Sequence, residues 1–315
     1  MKNNPRLIFS YLRSHIVGQD FALRQIANGI ERGEAKLSSD GRPKASFLLL
    51  GPTGVGKTES AKQTARYLYG SLADGYEAVD MAEYSGQGAV ESWKKHVTEK
   101  VGERPQGGVL LLDEIEKAHR EVTRNLLQVL DEARLGYHGQ THDLSNWYVF
   151  CTSNLGCAEM MNMKHSAYAT VARTARTAAE QHLSPENVVR FDAVCVFQLL
   201  AFAQQQDICR GMLDCYLRLV QERTGIEAVY GKEEVQYLLR KGFNRRLGAR
   251  PLRTAIETEV ALAVLDYQSA YEALAQGERV SLRVTEDAKG LTLKPLEGDS
   301  HDRTNHDAAH STVRA

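Results

Sequence analysis

The sequence predicts an α/β fold: a mostly parallel sheet flanked by helices, then a smaller, mainly helical domain ending in a β-hairpin. Three observations carry this expectation. Short apolar runs ("ASFLLL", "GGVLLLDE", "WYVFCTSN", "AVCVFQLL") recur up to residue 200, with helical periodicity between them. Strands buried on both faces of a parallel sheet read this way. From Ala201 such runs stop, and "AFAQQQDICRGMLDCYLRLVQERTG" opens a stretch of helical pattern reaching about Gln276. Finally, "ERVSLRVTED" and "GLTLKPLE" alternate around a turn, as hairpin strands do. The expected division is therefore 1–200, a larger α/β domain, 201–297, a smaller domain, and 298–315, a tail.

In order along the chain, "DFALRQIANGIERGEAKL" (20–37) places apolar residues at helical spacing, and "SSDGRP" (38–43) is turn-forming. "ASFLLL" then enters a glycine-rich loop, and "TESAKQTARYLYG" reads as a helix stopping near Gly70. "YEAVDM" is a second strand, and "AVESWKKHVTEKV" a helix. The third strand closes on Asp113-Glu114, the fourth on Asn154, and "AVCVFQLL" supplies a fifth. The tail "GDSHDRTNHDAAHSTVRA" is polar and expected to be disordered, and its irregularly spaced histidines do not suggest a metal site.

Composition narrows the function classes. Apolar residues make up 43% of the 315 residues, enough for a sizeable core, and 39 basic against 40 acidic residues leave a net charge of -1. That balance gives no global electrostatic case for nucleic acid or an anionic membrane. Cys151, Cys157, Cys195, Cys209 and Cys215 form no C-x-x-C pair, so buried thiols in a reducing compartment are expected. The N-terminal "MKNNPRLIFSYLRSH" lacks a signal-type apolar core, and no apolar run approaches the ~18 residues of a membrane span. A cytoplasmic protein is expected.

Gly51-Pro52-Thr53-Gly54-Val55-Gly56-Lys57-Thr58 matches G-x-x-x-x-G-K-[ST] in full. The glycines let backbone N–H groups turn towards phosphate oxygens, and the following helix presents its positive end to the same anion. Lys57 is expected on the β- and γ-phosphates and Thr58 on Mg²⁺. In "VLLLDEIEKAH" (109–119) an apolar strand ends in two acids, at the edge where α/β folds bind ligands. Asp113 is expected to support the Mg²⁺ shell and Glu114 to polarise the attacking water. Asn154, closing "CTSN", can hold that water.

With these parts in order, the sequence resembles an AAA+ ATPase of the Clp family, most like the second ATPase module of ClpA and ClpB. The likeness runs from about Leu12 to Lys294. It rests on "HIVGQDFALRQI", "GPTGVGKTE", "LLLDEIEKAH", "NLLQVLDEARL", "TSNLG" and "GARPLRTAIE". The resemblance implies a P-loop AAA+ module with ATP and Mg²⁺ as cofactors. It also implies that Ile16, Val17, Gly18 and Gln19 lie near the adenine. "SPENVVRFDAVCVF" resembles the segment carrying the family's arginine finger, which makes Arg190 its counterpart, donated across a subunit boundary. Ser184, Val189 and Ala193 depart from the family pattern there and leave the arginine intact. Gly248-Ala249-Arg250 resembles the second sensor, so Arg250 is expected to reach the γ-phosphate. A finger supplied in trans requires an oligomer, and the family implies a six-membered ring.

One departure bears on mechanism. Clp unfoldases grip polypeptide with an aromatic G-Y-V-G loop before the third strand; here "DMAEYSGQGAVESWKKHVTEKVGERPQGGVLLLDE" contains none. In that one respect the chain is similar to torsins. Tyr84 and Trp93 are the aromatics of this interval; Trp93 is expected to pack on the sheet or a neighbouring subunit, a substitute gripping role being the alternative. No I-G-[FL] tripeptide for docking a protease occurs, and neither a second ATPase module nor a separate substrate domain is expected. The leading expectation is a ring ATPase that remodels a protein client by a lever rather than by threading. The alternatives are a nucleic-acid-linked or mobile-element ATPase, for which "RTARTAAEQH" and "RKGFNRRLGARPLR" supply basic residues, and an ATP-dependent assembly switch.

Overall fold

The computed structural model describes residues 4–37, 41–163, 166–244, 247–270 and 279–296. The expected tail with its histidines, and the last residues of the helical stretch before Gln276, lie outside these. Two compact units are present: the described residues of Met1–Gln204 with those of Arg245–Gly248, and the described residues of Gln205–Asn244 with those of Ala249–Ala315.

The first unit opens with α1 (Ile8–His15) and α2 (Asp20–Glu34). Helix α2 buries Leu23, Ile26, Ala27 and Ile30 on one face, the spacing an amphipathic helix needs to cover a sheet. Strand β1 (Ala45–Leu50) is buried at all six positions. It feeds the glycine loop and α3 (Lys57–Tyr69), which stops at Gly70, where φ is 86°. Then come α4 (Leu72–Gly75), β2 (Tyr76–Asp80), α5 (Ala89–Glu103), β3 (Val109–Asp113) and α6 (Arg120–Glu132). A small hairpin follows, of β4 (Arg134–Tyr137) and β5 (Gln140–Asp143). Strand β6 (Tyr148–Ser153), helices α7 (Cys157–Met161), α8 (Tyr168–Leu183) and α9 (Pro185–Val188), and β7 (Ala193–Val196) complete the unit.

The main sheet has the order β2-β3-β6-β1-β7 with every neighbouring pair parallel. Parallelism sends the C-terminal ends of β1, β3 and β6 to one edge, and the register there is close: Leu50 pairs with Ser153, and Leu112 with Cys151. The core below that edge holds both tryptophans, Trp93 and Trp147, each 1% exposed. Trp93 therefore packs in its own chain's core, which removes it as a gripping residue. Tyr84, at 7% exposure, is likewise buried.

The second unit is built on α10 (Phe202–Thr224) from Gln205 onward, α11 (Lys232–Gly242) and α12 (Arg250–Ala270). Its small sheet has the order β10-β9-β8, from β8 (Glu227–Val229), β9 (Arg279–Val284) and β10 (Leu291–Pro295). The expected terminal hairpin is β9 with β10, antiparallel. Its inward residues Val280, Leu282, Leu291 and Leu293 join Leu238, Leu252, Ile256 and Val260 in one apolar cluster. No helix among the described residues is long and apolar enough to cross a membrane.

Candidate active site

The loop after β1 is held open by left-handed backbone. Gly51, Gly54 and Gly56 have φ of 140°, 71° and 110°, a region L side chains rarely enter. Space enforces the same choice: a Cβ at Gly51 would run into the Phe197 carbonyl, and one at Gly56 would come within 3.0 Å of Ile16 Cγ2. The loop also includes Pro52, Thr53 and Val55, and it delivers Lys57 as the first residue of α3. Lys57 is buried. Its ammonium donates to the Gly51 carbonyl, to the Pro52 carbonyl at 2.9 Å and to Asn154 Oδ1 at 3.0 Å.

Burial pushes the Lys57 ammonium down to about 8, against the opposing pull of Cys157, Glu116, Asp113 and Glu114. Above that pH the free site holds a neutral amine, so binding of a polyphosphate that needs the ammonium must be accompanied by proton uptake at Lys57. Affinity for a nucleoside triphosphate is expected to weaken as pH rises past about 8, by at most about tenfold per pH unit. Calorimetric titration in buffers of different ionisation enthalpy checks this through the accompanying proton uptake.

The ends of β3 and β6 supply the acids and their supports. Thr58 Oγ1 lies 3.5 Å from Asp113 Oδ1. Thr152 Oγ1 donates to that same Asp113 oxygen and accepts the Glu114 N–H at 2.9 Å. Glu114 has φ of 58°, a left-handed conformation costing about 1–2 kcal/mol for an L residue and held here by the Thr152 bond. Its Oε1 accepts from Asn154 Nδ2 at 3.1 Å, and its Oε2 pairs with the Lys117 ammonium. The Lys117 hydrogen bond keeps the Glu114 carboxyl below the usual carboxylate range, with Asn154 and Lys57 helping and burial opposing. Asn154 is the hub: its Oδ1 accepts from Lys57 and lies 3.5 Å from Thr53 Oγ1, and its N–H donates to Glu116 Oε1 at 3.0 Å.

These residues fit a magnesium-bound nucleoside triphosphate. The left-handed glycines form a cradle that side chains would fill, α3 starts at that cradle, and Lys57 puts a buried cation in it. Thr58 and Asp113 offer the hard oxygen donors that Mg²⁺ prefers, leaving its other positions to phosphate and water.

The sequence-derived residues do not all meet. Ile16 reaches the loop beside Gly56, and Val17 is half-buried. Gly18 has φ of 78°, and a side chain there would run into Gln204. Gln19 is buried and exchanges two hydrogen bonds with the backbone of Gln198, at 3.0 and 2.9 Å. Arg190 follows α9, and its guanidinium pairs with Asp131 at the end of α6. Arg250 is the exposed first residue of α12 in the second unit. Sequence reasoning does not single out Thr152, Glu116 or Lys117, although all three lie inside the "CTSN" and "LLLDEIEKAH" stretches.

Residues 42–194 match the family described as an AAA domain (Cdc48 subfamily), and residues 200–282 match the C-terminal, D2-small domain, of ClpB protein. The chain belongs to the Clp family of AAA+ ATPases. Within that family it is related to the second module of ClpB. The chaperone protein ClpB of Bdellovibrio bacteriovorus is 36% identical over 272 residues, 79% of this chain and 30% of that protein. The ClpB of Meiothermus ruber is 36% identical over 264 residues, 79% of this chain and 31% of that protein. The ATP-dependent Clp protease ATP-binding subunit ClpL of Staphylococcus aureus is 34% identical over 279 residues, 82% of this chain and 38% of that protein. This Clp-family chain thus spans about a third of the length of the curated relatives it matches.

Proposed function

We propose that this chain hydrolyses ATP as a six-membered ring and spends the energy on remodelling or disassembling a protein partner. The observation that supports the reading best is the single hydrogen-bonded cluster joining Lys57, Asn154 and Glu114 across the ends of β1, β6 and β3. Loop N–H groups and Lys57 hold the phosphates. Thr58 and Asp113 would hold Mg²⁺, which would supply neutralisation of charge on the phosphate oxygens. Glu114 and Asn154 orient a water, and Glu114 draws its proton as the phosphoryl group transfers. Arg190, reaching into a neighbouring chain's site, adds positive charge as the bond to the leaving oxygen breaks. Arg250 is given the second-sensor role on the resemblance of Gly248-Ala249-Arg250 alone.

The buried Tyr84 and Trp93 favour a lever or clamp over an aromatic grip. A cytoplasmic setting accords with five unpaired cysteines. The test is capture: Glu114→Gln loaded with ATP, compared with Lys57→Ala. A specific protein retained only by the ATP-loaded form supports remodelling and identifies the client. Specific retention of nucleic acid overturns the reading in favour of a nucleic-acid-linked ATPase, and capture of nothing but other copies of the chain favours an assembly switch.

A further inference from the structure

Beside Arg190 lies a second arginine, one that no sequence motif marks. Arg42 stands in the turn leading into β1, and its side chain is 27% exposed against 36% for Arg190. Its guanidinium joins three segments. Nε donates to the Leu130 carbonyl at 3.1 Å, in the last turn of α6, where helix carbonyls lack intrahelical partners. Nη2 donates to the backbone carbonyl of Arg190 itself. Nη2 and Nη1 lie 3.6 Å from the carboxylates of Asp131 and Asp192 respectively. Asp192 is in turn fastened to β1, its Oδ2 accepting from Ser46 N–H at 2.7 Å and Ser46 Oγ at 2.8 Å.

Two features stand out. The backbone of Arg190 is tied through Arg42 and Asp192 to the strand that carries the phosphate loop. Both arginines also share one counter-ion: Arg42 lies by Asp131 Oδ1, while Arg190 bonds Oδ2. When Arg190 leaves Asp131 for a phosphate, that carboxylate keeps a positive neighbour. Without Arg42, Arg190 would be its remaining ion-pair partner in the cluster and would be harder to release.

We propose that Arg42 is a positioning residue for Arg190, fixing its backbone and taking over its counter-ion so that the finger can act on the neighbouring chain. The inference rests on the trans-acting reading of Arg190. A planar fork suits this, because lysine keeps the charge but cannot reproduce the geometry that donates to two carbonyls while facing two carboxylates.

Misplacing a catalytic group by about 1 Å costs roughly 100-fold. Arg42→Ala is therefore expected to lower kcat by about 10- to 100-fold with little change in the KM for ATP. Arg42→Lys is expected to fall between it and the parent chain, and it carries the same tests should Arg42→Ala not fold. The decisive measurement mixes each variant with Lys57→Ala, which has no working phosphate site of its own but offers an intact finger face. Arg42→Ala mixed with Lys57→Ala is expected to hydrolyse ATP faster than either parent alone, because intact fingers then serve intact sites. Arg190→Ala, mixed in the same way, isolates the finger reading. Recovery with Arg190→Ala but not with the Arg42 variants overturns the role of Arg42. So does unchanged kcat in Arg42→Ala. Absence of recovery with Arg190→Ala overturns the trans finger itself.

Discussion

Glu114→Gln is expected to lower ATP turnover by about 100- to 10,000-fold, the range for loss of a general base, while ATP affinity stays close to that of the parent chain. The substitution is isosteric. A glutamine carbonyl can still accept from Asn154 Nδ2, which sits 3.1 Å from Glu114 Oε1, and the backbone bond to Thr152 is untouched. What disappears is a charge able to polarise water and accept its proton. The partner Lys117 loses its carboxylate in the same step, so the variant also removes the ion pair that keeps Glu114 ionised. Steady-state phosphate release beside equilibrium nucleotide binding separates the two quantities. Turnover within a fewfold of the parent would take Glu114 out of the chemistry.

If Arg190 acts as proposed, Arg190→Ala is expected to cost about 1000-fold or more in kcat, the scale of losing an arginine finger, with nucleotide binding again preserved. The guanidinium is more than one-third exposed and its ion-pair partner is Asp131 of its own chain. An exposed pair of this kind contributes little to stability, about 0–1 kcal/mol, so the variant should fold. The same weakness means that Asp131 can hold the finger when no phosphate is offered and release it at small cost. Arg190→Lys is expected to recover little, because a point charge lacks the planar fork that meets two phosphate oxygens. Turnover that per chain is independent of protein concentration and insensitive to Arg190→Ala would set the finger aside.

Much of the fold is legible in the sequence because its signals are local. "ASFLLL" reads as a buried strand, and Ala45–Leu50 is buried throughout; Gly70 ends α3 with a positive φ, as its place after the helical pattern suggests. "YEAVDM" runs one residue too far, since the backbone tightens into a 3-10 turn at Met81. The hairpin β4–β5 escapes sequence reasoning. Its strands are four residues long and mostly exposed, so no apolar alternation marks them. The turn uses His138 and Gly139 at φ of 48° and 76°, a left-handed pair that Asn-Gly announces more loudly. Strand β8 escapes it too, because three residues pair with β9 some fifty positions later, which no local window sees. In the site, the glycines, Lys57, Thr58 and the two acids follow from what phosphate and metal require. The supports do not: Thr152 reaches Asp113 and Glu114 only because β6 lies beside β3 in this register.

The left-handed backbone at Glu114 has a further consequence. In an extended ribbon, neighbouring side chains alternate between opposite sides, so two acids in a row would serve two different surfaces. A single reversed φ of 58° directly after the last strand residue cancels that parity. Asp113 approaches Thr58 while Glu114 approaches Asn154, and Thr152 ties the two together, donating to the Asp113 carboxylate and accepting the Glu114 N–H. The metal holding and water handling proposed for them are thereby separated by one peptide unit, with no second loop to drift independently. The ruler that spaces the two roles is covalent. Motions of the flanking helices can move the acids together, but they cannot easily change the distance between the two backbones that carry them.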